Sequence, residues 1–265
     1  MPSPDEVALG ALHWLEYLGL VGVVGTMVVR RLAANSPRIH WARPPLHFAL
    51  AVAFAGGLGV IGAQELSSGG IDSLISGLPG WLRIARVAAE GAALAACLTG
   101  RPLVAPLALF AAAAVAFGGH AADLQPAGGA IFADALHVLS AGVWAGGIMA
   151  LASLRPPGGW RGEEGRMLLA RFGRVALVAF AITALTGVLG ATSALREPSD
   201  LWTTSYGWVL SAKSAGVLVM LALSAWTWRR GFGPVRLEAA IAVFVIAATA
   251  ILAAYPLPPA RLPGA

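Results

Sequence analysis

IFADALHVLSAGVWAGGIMALASL, residues 131–154, is an apolar run interrupted by only two ionisable side chains, Asp134 and His137. A bilayer-spanning helix takes about 20 predominantly apolar residues, and this stretch meets that length. Asp134, His137, Ala141, Trp144 and Gly147 or Ile148 recur every three or four residues, so a helix lines them along one face. A charged side chain at the bilayer centre costs about 2.5–3.5 kcal/mol on insertion scales, so polar groups retained there tend to mark function. Gly146 and Gly147 would let a neighbouring helix approach closely beneath Trp144, although ordinary helix packing uses glycines in the same way.

Outward from this run the same reading repeats. Of 265 residues, 58% are hydrophobic and 12% charged, with a mean hydropathy of +0.76. Soluble domains carry about 25% charged residues, so half that share places the chain in a membrane. Eight apolar runs are expected to span: roughly 8–30, 46–64, 81–99, 103–119, 131–154, 168–194, 206–228 and 237–255. Turn chemistry separates them at SSGG (67–70), LPG (78–80), TGRP (99–102), PAGG (126–129), RPPGG (155–159) and PLPP (256–259). The expected fold is all-α, a polytopic bundle of about eight helices forming one transmembrane domain over 1–265. The amino terminus lacks a basic n-region, so the first run is expected to be a retained helix rather than a cleaved signal.

Charge sets the orientation. With the amino terminus outside, thirteen Lys and Arg fall on the inner side and five on the outer: Arg83, Arg86, Arg196, Lys213 and Arg261. The positive-inside rule then puts both termini outside. Trp14, Trp81, Trp202 and Trp208 fall near the outer interface, and Trp41, Trp160, Trp226 and Trp228 near the inner one. Trp144 alone lies deep in a run. The pI near 10.3 reflects short arginine clusters between apolar runs, a topology signal and not a nucleic-acid surface. Cys97 is the single cysteine, which excludes an internal disulfide and a thiolate cluster.

In this orientation His13, His120 and His137 share the outer side, while His40 and His47 are inner. Each outer histidine has a carboxylate three residues away: Glu16, Asp123 and Asp134 respectively. On a helix such pairs share a face, so the carboxylate can orient the imidazole or ligate alongside it. Imidazole with carboxylate suits Cu(II), zinc or nickel better than Cu(I). The plain alternative is a set of interfacial polar residues and helix caps. In the third run Arg86 and Glu90 are spaced i, i+4 and Arg83 shares that face, so Glu90 is expected inside the bundle, paired with Arg86, Arg83 or Lys213. An internal salt bridge or a relay would both suit that spacing. Tyr206, Lys213 and Met220 are spaced by seven on another helix. Glu238 is expected to meet the inner arginines.

No P-loop, HExxH, CxxC, GxSxG or methionine cluster is present, so enzymatic hydrolysis is not expected. Three segments, DALHVLSAGVWAGG (134–147), RFGRVALVAFAITALTGVLGA (171–191) and TTSYGWVLSAK (203–213), resemble in order the core of the copper resistance D (CopD/PcoD) family. GHAAD (119–123) and LEAAIAVFVIAATAILAAYPLPP (237–259) are similar to that family too. The resemblance covers roughly 119–259, and the pairing of LHxxxxxxWxGG with TxxYGxxLxxK is its most specific part. It implies a bacterial inner-membrane protein of about eight helices that carries copper from the periplasm toward the cytoplasm. Carried over by position, it points to His120, His137, Trp144, Tyr206 and Lys213. Such proteins often work beside or fused to a small periplasmic copper-binding protein, so this chain is expected to take such a partner separately or to act without it.

The leading expectation is therefore a copper permease, with copper ion held by His120, His137 and His13, and with Asp134, Glu16, Asp123, Trp144, Tyr206, Lys213 and Glu90 as auxiliary residues. The expected partners are the lipid bilayer and that copper protein, with no nucleic acid. Two alternatives stand beside it. One is a non-transporting copper assembly or sensing subunit. The other is a haem-binding electron carrier, with His13 and His137, or His47 and an inner partner, as axial ligands.

Overall fold

The computed structural model describes residues 4–68, 77–118, 127–195, 197–230 and 233–254, and in these it is all helix, without a strand. The elements are α1 (Pro4–Ala34), α2 (Leu46–Ser68), α3 (Gly77–Leu98) and α4 (Val104–Ala114), the last extended by a 3₁₀ turn at Val115–Phe117. Then come α5 (Ala127–Ala141), a π turn (Gly142–Gly146), α6 (Gly147–Ala152), α7 (Glu163–Ala194), the short α8 (Asp200–Thr203), α9 (Ser205–Arg230) and α10 (Val235–Ala254). The α5–π–α6 unit is the run that opened the sequence reading.

Six described helices are long and apolar enough to cross a membrane: Val7–Ala34, Leu46–Glu65, Gly128–Ala152, Glu163–Ala194, Ser205–Thr227 and Val235–Ala253. Length and hydropathy thus support six crossings where eight were expected. The third run carries Arg83, Arg86 and Glu90, and the fourth has only 11 α-helical residues before its 3₁₀ turn. α7 also starts earlier than the hydropathy run suggests. Glu163 and Glu164 occupy its first turn, where carboxylates meet the positive end of the helix dipole.

α1 is the axis of the bundle, in contact with α2, α4, α5, the π turn, α6, α7 and α10. Around it α2, α3, α4 and α5 follow as successive neighbours, α5 continues to α7, and α6 meets α10. α9 lies outermost, packed mainly on α10 and α8. Lipid offers no hydrophobic drive between helices, so close approach at small residues does the work. A Cβ on Gly25 would collide with the backbone of Gly146 and Gly147, and one on Gly146 with the Val21 carbonyl. Those contacts seat α1 directly against the π turn.

The burial pattern is inverted relative to a soluble protein. Leu177, Val178, Leu185 and Val188 on α7 and Leu218 on α9 are exposed, while Glu16, Arg86 and Glu90 are buried. Apolar surface outside and charge inside is what a hydrocarbon solvent selects. The largest apolar cluster, with Val29, Trp144, Ile148, Leu151, Leu168, Phe172 and Met220, joins α1, the π turn, α6, α7 and α9. Around the α1–α2 connection the Arg171 guanidinium donates to the Leu32, Asn35 and Pro37 carbonyls, and Trp41 Nε1 donates to Glu164 at 2.6 Å. Among the described residues Glu238 pairs with no arginine: it accepts hydrogen bonds from Ser224 (2.9 Å) and Thr227 (2.7 Å).

Candidate metal site

His137 stands on α5 and faces α7. Its Nδ1 lies 3.1 Å from the Thr183 carbonyl oxygen and 3.1 Å from Thr186 Oγ1. A carbonyl can only accept, so the proton is assigned to Nδ1, and Nε2 keeps its lone pair. The Thr186 hydroxyl spends its own hydrogen on the Ile182 carbonyl at 2.7 Å, leaving its oxygen free to accept from the ring. Ser140, one turn along α5, meets Thr183 Oγ1 at 2.8 Å and ties the same two helices. The imidazole lies against Gly187, where an added Cβ would fall 3.2 Å from His137 Cε1. Metal-binding imidazoles are commonly oriented in this way, one nitrogen donating to a carbonyl and the other presented outward.

Asp134 was expected to hold one nitrogen of His137. The protein uses a backbone carbonyl and a hydroxyl of α7 instead, and Asp134 lies within electrostatic reach of Lys213 on α9. Lys213 also acts on His137, so these three groups form one polar patch between α5, α7 and α9. Lys213 thus lies within electrostatic range of Asp134, and Glu90 has other neighbours. Tyr206 is half-buried near the start of α9.

A second patch lies between α1, α2 and α3. Glu16 Oε1 is 2.7 Å from Arg86 Nη2, and Glu90 Oε1 is 4.0 Å from Arg86 Nε. The short contact is an ion pair without a straight N–H···O line, since Glu16 Oε1 has no hydrogen-bond donor. His13 Nδ1 stands 3.6 Å from Glu16 Oε2, the i, i+3 pairing read from the sequence, and its ring leans on Tyr17 with centroids 5.6 Å apart. Arg83 is drawn away from Glu90 to Gln64 Oε1 at 2.6 Å. Tyr17 lies within electrostatic range of Glu16 and Arg86 and of Asp134, one residue reached by both patches.

Trp144 is 3% exposed in the π turn, its ring edge-on to Phe180 at 4.8 Å. It belongs to the apolar core cluster. His120 and Asp123 lie outside the described residues. Among the described residues no three His, Cys, Asp or Glu side chains are grouped so as to hold a metal ion. Sequence reasoning missed Tyr17, Ser140, Thr183 and Thr186. The available signal was TALTG (183–187), two hydroxyls one turn apart and a glycine in an otherwise apolar run.

Residues 166–254 match the family described as CopD, copper resistance protein D. Over this region the chain is similar to that family. That region takes in nearly all of α7 and the whole of α8, α9 and α10; it includes Thr183, Thr186 and Gly187 beside His137, Lys213 within its electrostatic range, and Tyr206. The chain is also similar to the copper transport protein CutJ of Bacillus subtilis (strain 168), at 33% identity over 161 residues. The match covers 57% of this chain and 30% of CutJ, so the chain spans under a third of the relative it matches. No solved structure matches the chain.

Proposed function

We propose that this chain binds copper ion on the outer side of a bacterial inner membrane and passes it toward the cytoplasm. The observation that carries the reading is His137: Nδ1 is committed to α7, and Nε2 is left as a ligand within a mostly apolar bundle. The family region and the likeness to a copper transport protein support copper as the cargo. His120, just before α5, supplies the second imidazole, and His13 on α1 the third. Asp134 offsets the charge of Lys213 beside the site, so a cation approaching His137 meets less repulsion. Trp144 and the core beneath it close the site from below. A separate periplasmic copper-binding protein delivers the ion.

Copper titration of the detergent-solubilised wild type against His120→Ala, His137→Ala and His13→Ala tests the site. Affinity falls in the first two variants. Unchanged affinity and stoichiometry in both would remove the assignment. Loss in those two alone keeps the site and removes His13 from it.

A further inference from the structure

The Glu16–Arg86–Glu90 cluster holds a charge imbalance that packing does not resolve. Glu16 and Glu90 are 0% and 1% exposed, so water compensates neither. Arg86 brings one positive charge and gives it to Glu16, at 2.7 Å against 4.0 Å for Glu90. Arg83 brings no second one, because it is turned to Gln64. Among the described residues, all four carboxyl oxygens lack a hydrogen-bond donor. Yet the two carboxyl groups lie within hydrogen-bonding reach of each other. Gly57 on α2 makes the room: a Cβ there would fall 2.5 Å from Glu90 Oε2 and 3.3 Å from Glu16 Oε1. Two ionised carboxylates are acceptors only, so a bond between them requires a proton on one.

We propose that Glu90 is a proton-binding site, a neutral carboxylic acid that donates to Glu16, and that it releases this proton when a cation enters the outer half of the bundle. With the proton the cluster is neutral, and without it the cluster carries one uncompensated negative charge in a low-dielectric interior. A cation close by can replace the proton. On release the Glu90 O–H bond breaks, its electron pair stays on the carboxylate, and the proton passes to water at the outer surface. The groups around Glu90 are Glu16, His13 and Tyr17 on α1, Arg83 and Arg86 on α3, and Gln64 and Glu65 about two turns outward from Gly57 on α2. Val104–Phe117, which packs on α3, carries no titratable side chain, and α5 adds Asp134 through Tyr17. The coupling to a cation rests on the copper reading. The protonated acid does not.

Infrared difference spectroscopy of the whole chain in lipid at neutral pH tests the acid without any metal. The wild type shows a protonated-carboxyl band that shifts in D₂O, is absent in Glu90→Gln and moves in Glu90→Asp. Glu16→Gln loses it as well, because Arg86 then turns to Glu90 and holds it ionised. A wild type with no protonated-carboxyl band overturns the proposal whatever the variants do, and so does a band unchanged in Glu90→Gln, which would place the proton on another carboxyl group. Proton release on adding cupric or cuprous ion to proteoliposomes tests the coupling. Loss of that release in Glu90→Gln supports it, and undiminished release overturns the coupled step.

Discussion

Replacing Arg86 by leucine removes the guanidinium that neutralises Glu16 at 2.7 Å inside the bundle, where both partners are at most 5% exposed. Removing one partner of a buried ion pair costs about 3–5 kcal/mol, because the other charge is left uncompensated. At about 1.4 kcal/mol per factor of ten, that is roughly a 150- to 4,000-fold shift toward the unfolded form. Glu16→Gln in the same chain should recover most of the loss, since the stranded carboxylate is then gone, and Glu90 carries its own proton. A double-mutant cycle isolates the term, because the two side chains touch. The assay is SDS-driven unfolding in mixed micelles, followed by tryptophan fluorescence for wild type, each single variant and the double. An Arg86→Leu protein within about 1 kcal/mol of wild type, the span of a weak exposed pair, would refute the buried-charge reasoning.

Gly187→Ala places a methyl 3.2 Å from His137 Cε1, so the fold persists while copper affinity falls as the ring is pushed from α7; isothermal titration checks it. Thr186→Val removes one of the two acceptors of the Nδ1 proton and should weaken copper binding by about 0.5–1.5 kcal/mol, seen by the same titration. Gly146→Leu drives a side chain into the Val21 carbonyl and the Gly25 amide and should destabilise by about 1–3 kcal/mol or more, read as a lower unfolding midpoint. A reporter fused at Trp160 should be active only on the cytoplasmic side, and activity on the outer side would reverse the orientation.

Much of the bundle was legible because hydrocarbon imposes one requirement on each crossing, length with few charges, and hydropathy reads that directly. Charged helices escape it: α3 holds Arg83, Arg86 and Glu90, whose cost is offset by partners on other helices. The π turn at Gly142–Gly146 was not legible, since it answers to α1 pressing on Gly142 and Gly146 and not to local propensity. Partner choice failed for the same reason. The i, i+4 spacing of Arg86 and Glu90 was visible, but the shorter contact comes from Glu16, seventy residues earlier in the chain. His137 was legible as an isolated imidazole in an apolar run. Its orientation was not, because it depends on a carbonyl of α7, and no carbonyl has a sequence signature.

The central claim is that copper crosses this bundle by way of His137. Copper accumulation inside sealed proteoliposomes, with the chain inserted outer face outward, tests it most directly. Wild type should accumulate copper over time, and His137→Ala, with its fold confirmed by circular dichroism, should fall to the rate of empty vesicles. Absence of accumulation by the wild type, or an equal rate in His137→Ala, would contradict the account.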